Sequence, residues 1–308
     1  MRHLSAVAAV ADDPVVVPGA DRLLRGADLW LARRVDGHGP GRHRSIRLGE
    51  GLELADIREY TPGDDVRTID WNVTARTGRP HVRVYDADRD VTVLVVADRS
   101  ASMGFGTANA TKDRLARELV AAVAAMVVRR GDRIGGLLFD EERAGGMRAA
   151  SGRRAALRLL HAMEAAPPKD RTAARMDLAL TDAGRMAKRR SVVLAISDWI
   201  DAGAWEEPLR LLAYRHEVIA AEIRDPREDT LPDVGTVVLE DPETGRQLEV
   251  DTGIAGLREA FETAAAQQRA ARAASFARAR ASHLIVSTDR DWRADLIKYL
   301  TLRKKGRR

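Results

Sequence analysis

The chain has 308 residues, 45% of them apolar and only 4% aromatic, enough for one large domain with cores of Val, Leu, Ile and Ala. Its 51 basic and 46 acidic residues leave a net charge of +5, spread as mixed charge and not gathered into one basic face. The absence of cysteine excludes disulfides, thiolate chemistry and cysteine zinc sites, and suits a reducing, cytoplasmic setting.

Residues 1–20 lack periodicity and contain Asp-Pro and Pro-Gly, which predicts a loose leader whose apolar part is too brief for an export signal. DRLLRGADLWLARR (21–34) has the apolar spacing of a helix, and GHGPGRHR (37–44) reads as a basic loop. SIRLGEGLEL, TIDWNV and HVRVYDA alternate apolar and polar residues between turn signals, predicting short strands. Residues 21–88 are thus expected to form a small segment of helix and β-structure, ahead of a large α/β domain over 89–302 and a basic tail at 303–308.

From Val91 the pattern changes. The apolar strand VTVLVVAD leads into a helix over 112–132, then a strand at RIGGLLFD (133–140) and a helix over 153–166 stopped by Pro167-Pro168. A helix over 176–190, the strand SVVLAISD (191–198), a helix over 205–215 and the strand HEVIAAEIRD (216–225) follow. TVVLEDPETGRQLEVD (236–251) predicts a hairpin around Glu-Thr-Gly. After it come a long Ala/Arg helix (254–281), HLIVSTD (283–289) and a last helix. Apolar strands alternating with amphipathic helices predict a doubly wound, mostly parallel sheet covered on both faces. The longest apolar run, LVAAVAAMVV (119–128), is shorter than the roughly 20 residues a membrane helix needs.

Ligands of such sheets sit beyond the carboxyl ends of the strands. Two strands here end in oxygen-bearing side chains: Asp98, Ser100 and Ser102 after the first, Ser197 and Asp198 after the second. One carboxylate and two hydroxyls on a tight loop suit a hard cation such as Mg2+ or Mn2+, with a second carboxylate close by. The same residue types also cap the passage from strand to helix, so the pattern alone leaves both readings open.

The DRSASM string resembles the metal-ion-dependent adhesion site of von Willebrand factor type A domains. REYTPGDDVRTIDWNVTARTGRPHVRVYDADRD (58–90) resembles the signature of the bacterial family known as domain of unknown function 58, as do SDW (197–199), RHEVIAAEIRDPRE (215–228) and DPETGRQLEVD (241–251). The resemblance spans about residues 37–305 and implies a von Willebrand factor type A-like fold. It implies cation ligands at Ser100 and Ser102, with Asp98 and Asp198 holding the ion directly or through water. It further implies an open coordination position for a partner's carboxylate. One family position departs: Met176 stands where a threonine ligand is expected, and methionine's thioether is a poor magnesium ligand. Thr172 or Asp177 is then the substitute oxygen, or the site is a vestigial cap. The resemblance also implies a partner of the MoxR class of AAA+ ATPases and a role as adaptor in chaperone-like assembly.

Catalysis is not expected. Ser100 occupies the place of the second aspartate of dehalogenase-type phosphatases, no phosphate-binding Gly-Lys loop is present, and the histidines lack metal spacing. In YTPGDDVRTIDW, Arg58, Arg67 and Arg76 are candidates to pair with Asp64, Asp65 and Asp70, either in a docking surface or in a self-satisfied turn. Two alternatives to metal-bridged docking remain: a metal-free scaffold that uses this surface, and a nucleic-acid-binding protein that uses the arginine excess.

Overall fold

A computed structural model describes residues 18–36, 54–85, 91–107, 110–141, 144–169, 171–200 and 204–306. The predicted leader as far as residue 17, the basic loop at 37–44 and most of SIRLGEGLEL lie outside these. The chain divides into two compact units, one of residues 45–91 and one that joins residues 1–44 to 92–308.

The smaller unit pairs β1 (Leu54–Glu59) with β2 (His81–Tyr85) in antiparallel register. Between them lie a 3-10 turn at Val66–Thr68 and the helix α2 (Trp71–Thr77). TIDWNV is therefore not a strand. Asp70 Oδ1 accepts the amides of Asn72 at 2.9 Å and Val73 at 3.2 Å, and this cap starts a helix that Gly78 ends in a left-handed conformation. Of the proposed ion pairs, Arg58 and Asp64 form a two-pronged one, at 2.6 and 2.8 Å. Asp65 accepts the Arg67 amide and caps the 3-10 turn. The PGDD string is thus largely occupied with its own turn.

In the larger unit, α1 (Pro18–Asp36) packs on α3 (Lys112–Arg130) and α4 (Gly152–Ala165), with Asp21 and Asp28 receiving Arg153 and Arg129. It belongs with this unit and not with the small β-segment to which the sequence division assigned it. The central sheet has six strands in the order β10-β7-β6-β3-β4-β5. They are β3 (Thr92–Asp98), β4 (Arg133–Phe139), β5 (Ala144–Ser151), β6 (Val192–Ser197), β7 (Glu217–Arg224) and β10 (Ser282–Ser287). All neighbours are parallel except β4 and β5. β5 went unread in the sequence. Its AGGMRAAS has no alternation and no β-branched residue.

Both faces of the sheet are covered, as the continuous apolar runs require. Leu94, Val96, Val193, Ala195, Val218 and Ala220 pack with α5 (Met176–Met186), α6 (Glu206–Arg215) and the end of α7 (Ala255–Arg278). The alternate residues Val93, Val95 and Ala97 are buried as well. β8 (Thr236–Glu240) and β9 (Gln247–Asp251) form the predicted hairpin, and α8 (Trp292–Gly306) closes the chain. No described helix is long and apolar enough to cross a membrane.

Numbered by their order along the chain, the sheet strands run 6-5-4-1-2-3, the doubly wound order. Its switch point falls between β3 and β6, the place where such sheets hold ligands.

Candidate functional site

Asp98 closes β3 and Asp198 follows β6, so the topology brings both carboxylates to the switch point. Asp98 Oδ1 accepts the Ser100 amide at 2.7 Å and Oδ2 accepts the Ser197 hydroxyl at 2.6 Å, which ties the two strand ends together. The Ser100 and Ser102 hydroxyls lie 3.2 Å apart, and Ser102 hydrogen-bonds to Asp198. The four residues read from the sequence as one constellation are therefore together in space.

Arg99, the intervening residue, points elsewhere. Its guanidinium donates to the carbonyls of Ala166 at 2.6 Å and Met163 at 2.9 Å, at the carboxyl end of α4, and pairs with Asp113. A buried cation there complements the negative end of the helix. After Asp198 the backbone turns through Trp199 in the left-handed region, φ 57°, an uncommon conformation for a bulky residue. Buried aromatic packing against Trp205 and Phe276, and a 3.1 Å bond from the indole N–H to the Ala221 carbonyl, hold it there. The next residue, Ile200, is thrown outward.

Two residues absent from the sequence reading complete the site. Lys112, the first residue of α3, is fully buried. Its Nζ donates to Asp198 Oδ2 at 2.6 Å and to Glu228 Oε1. Glu228 sits in the 3-10 turn after β7, where Oε2 accepts the Asp225 amide at 3.1 Å. The aromatic ring of Phe105 lies over the same ammonium, its centroid 5.8 Å away. A lysine opening a helix opposes the helix dipole, and that is the one sequence signal that pointed to a tertiary partner.

The charges respond to one another. Burial and the neighbouring Asp198 push the Asp98 carboxyl up to about 6, against the hydrogen bonds from Ser197 and Ser100. Burial also acts to raise Asp198. The charge and hydrogen bond of Lys112, helped by Ser102, outweigh it and hold Asp198 below the ordinary carboxylate range. Burial opposes the charge on Lys112, yet Asp198 and Glu228 raise its affinity for the proton above the usual value. Glu228 is raised, chiefly by burial.

Thr172 does not bring its hydroxyl to this cluster as a free oxygen. Oγ1 donates to the Lys169 carbonyl at 2.7 Å, while the Thr172 carbonyl accepts the Ala101 amide at 2.9 Å and steadies the serine loop. Met176 is buried in the apolar core against the sheet. Arg175 grips Asp177 with two bonds of 3.0 Å, so that carboxylate is also engaged.

The oxygen set as folded does not fit a divalent ion with an open coordination position. Asp98 and Ser100 are 0% exposed, Asp198 4% and Ser102 8%, so these side chains form a closed cluster and not one with an open coordination position. The Lys112 ammonium already engages Asp198 Oδ2 at 2.6 Å and neutralises that carboxylate's charge. At an effective dielectric near 20, like unit charges 4 Å apart repel by about 4 kcal/mol, and a dication doubles that.

Fold and site together define a doubly wound α/β protein with a buried, charge-compensated cluster at its switch point. The chain belongs to the family described as proteins of unknown function DUF58, whose sequence model matches residues 56–271. It is 40% identical over 299 residues to the uncharacterized proteins Rv1480 of Mycobacterium tuberculosis and Mb1516 of Mycobacterium bovis, over 96% of this chain and 92% of each relative. Similar solved structures include BatB from Bacteroides thetaiotaomicron, at TM-score 0.46 and 16% identity over 71% of this chain and 100% of BatB. The SpRpn10 VWA domain is another, at TM-score 0.39 and 12% identity over 68% of this chain and 94% of that domain.

Proposed function

We propose that the chain is a non-catalytic protein-interaction module whose partner docks on the rim made by the loops after β3 and β6. The observation that carries this reading is a pair of apolar side chains, Phe105 at 39% exposed and Ile200 at 51%, one on each loop beside the buried cluster. Exposed apolar groups beside a rigid polar network give a partner something to desolvate, and the network fixes their positions. An enzymatic reading has less support. Asp98 is held by Ser197 and the Ser100 amide, and the Lys112 ammonium lies between two carboxylates, so neither is poised to attack a substrate.

The resemblance to the domain of unknown function 58 family suggests the partner class, a MoxR-class AAA+ ATPase, with this chain as its adaptor. Docking on the Phe105–Ile200 rim would use apolar contact and the surrounding charges, without a metal bridge. The test is a binding titration between the purified chain and the MoxR-class ATPase of the same cell. Replacing both Phe105 and Ile200 by serine is expected to weaken binding by roughly 10-fold or more, with a small fall in the unfolding midpoint from loss of the ring over Lys112. Equal affinity for parent and variant would reject the rim as the docking face. A titration with random duplex DNA at physiological salt is expected to be flat, which addresses the nucleic-acid alternative.

A further inference from the structure

We infer that Lys112 is the resident cation of the strand-end site, an ammonium built into the chain that engages the Asp198 carboxylate in place of a divalent metal on the serine loop. Local forces do not put it there. The first turn of a helix disfavours a positive side chain, and complete burial disfavours any charge. What compensates is the pair of carboxylates, Asp198 at 2.6 Å and Glu228, contributed by the ends of two different strands. The remaining oxygens are satisfied from within: Asp98 by Ser197 and the Ser100 amide, Ser100 by Ser102, and Glu228 also by the Asp225 amide.

The consequence is a rim whose geometry is independent of divalent-cation concentration. In a metal-dependent site the ion both orders the loops and offers a coordination position. Here the lysine ties the loop after β6 to the turn after β7 and offers none. The ammonium also reaches further than an ion on the serine loop would. Through Glu228 it connects α3 to the turn after β7, and the ring of Phe105 rests over it at 5.8 Å. The inference stands whether or not a partner docks on the rim, because it is read from ion binding and stability and not from partner affinity.

The experiment is a titration of the full chain with Mn2+, with free Mn2+ followed by electron paramagnetic resonance, alongside thermal unfolding in Mg2+, Mn2+ and chelator. The parent chain is expected to bind no Mn2+ at millimolar concentration and to unfold at one midpoint in all three conditions. Lys112→Ala and the better-filling Lys112→Met are expected to lower the midpoint by roughly 5–10 °C, since each strands buried carboxylates. Mn2+ should restore part of that loss in Lys112→Ala and none in Lys112→Ala combined with Asp198→Asn. Stoichiometric Mn2+ binding by the parent that Asp98→Asn removes would overturn the inference, and so would Lys112 variants that keep the parent midpoint. Should both variants fail to fold, the parent titration still decides the matter.

Discussion

Among the buried charged groups, Lys112 and Glu222 are tolerated because each is surrounded by opposite charge drawn from several elements. Lys112→Met removes the cation but keeps the volume. It should therefore cost about 3–5 kcal/mol in urea unfolding, the usual penalty for stranding the other half of a buried pair. Glu222, inside β7, accepts hydrogen bonds from Arg224 on its own strand at 2.6 Å, Arg272 of α7 at 3.0 Å and His283 of β10 at 2.7 Å. The carboxylate can only accept, so His283 Nε2 carries a proton. Burial acts to raise Glu222, but these hydrogen bonds and the two arginine charges hold it down to about 2. A carboxyl lowered from 4.5 to about 2 contributes about 3 kcal/mol, fully present above pH 4.5 and lost as pH falls through about 2. Glu222→Gln should remove that contribution at neutral pH and flatten the acid limb of a stability-against-pH curve, measured by denaturant unfolding between about pH 2 and 6.

Among the elements, those whose apolar spacing is regular were legible from sequence and those shaped by a cap or a glycine were not. β3, β6, β7 and β10 are read directly from VTVLVVAD, SVVLAISD, HEVIAAEIRD and HLIVSTD. α2 was misread as a strand because TIDWNV alternates, whereas Asp70 starts a helix by taking two amides. β5 was missed because its pairing depends on a bulge and on Gly135 of β4 and not on β propensity. A Cβ on Gly135 would stand 2.6 Å from the Ala149 amide and the Met147 carbonyl, so the edge strand can approach only a glycine. A Cβ on Gly136 would meet the Val95 carbonyl at 2.7 Å and Leu159 Cδ1 at 2.9 Å. Gly136→Ala should therefore destabilise the chain by about 1–3 kcal/mol, measured by chemical denaturation, because backbone and helix must both give way.

At the scale of the whole molecule, the doubly wound order explains why half of the site could be read and half could not. Asp98, Ser100, Ser102 and Asp198 lie at or just beyond the ends of strands that the sequence displays, and any sheet with β3 beside β6 brings them together. Lys112 and Glu228 stand 116 positions apart and meet only because the start of α3 folds over the end of β7, which local patterning does not encode. The closure of the cluster is hidden in the same way, since the Lys112 side chain comes from an element outside the motif. Asp225 extends the same logic. It is fully buried at the end of β7, and it accepts the Thr107 amide at 2.8 Å, the Thr107 hydroxyl at 2.5 Å and the Thr288 hydroxyl at 2.6 Å. Asp225→Ala would strand these donors and is expected to cost about 2–4 kcal/mol in urea unfolding.

That single carboxylate has a mechanical consequence. Thr107 belongs to the segment that carries Phe105, whereas Thr288 follows the outermost parallel strand, three places from β3 in the sheet. Any tug on the Phe105 segment is passed through Asp225 to the far margin of the sheet, so the two must yield as one body. A force applied to the Phe105 segment would therefore load the sheet from β3 to β10 and not a lone loop.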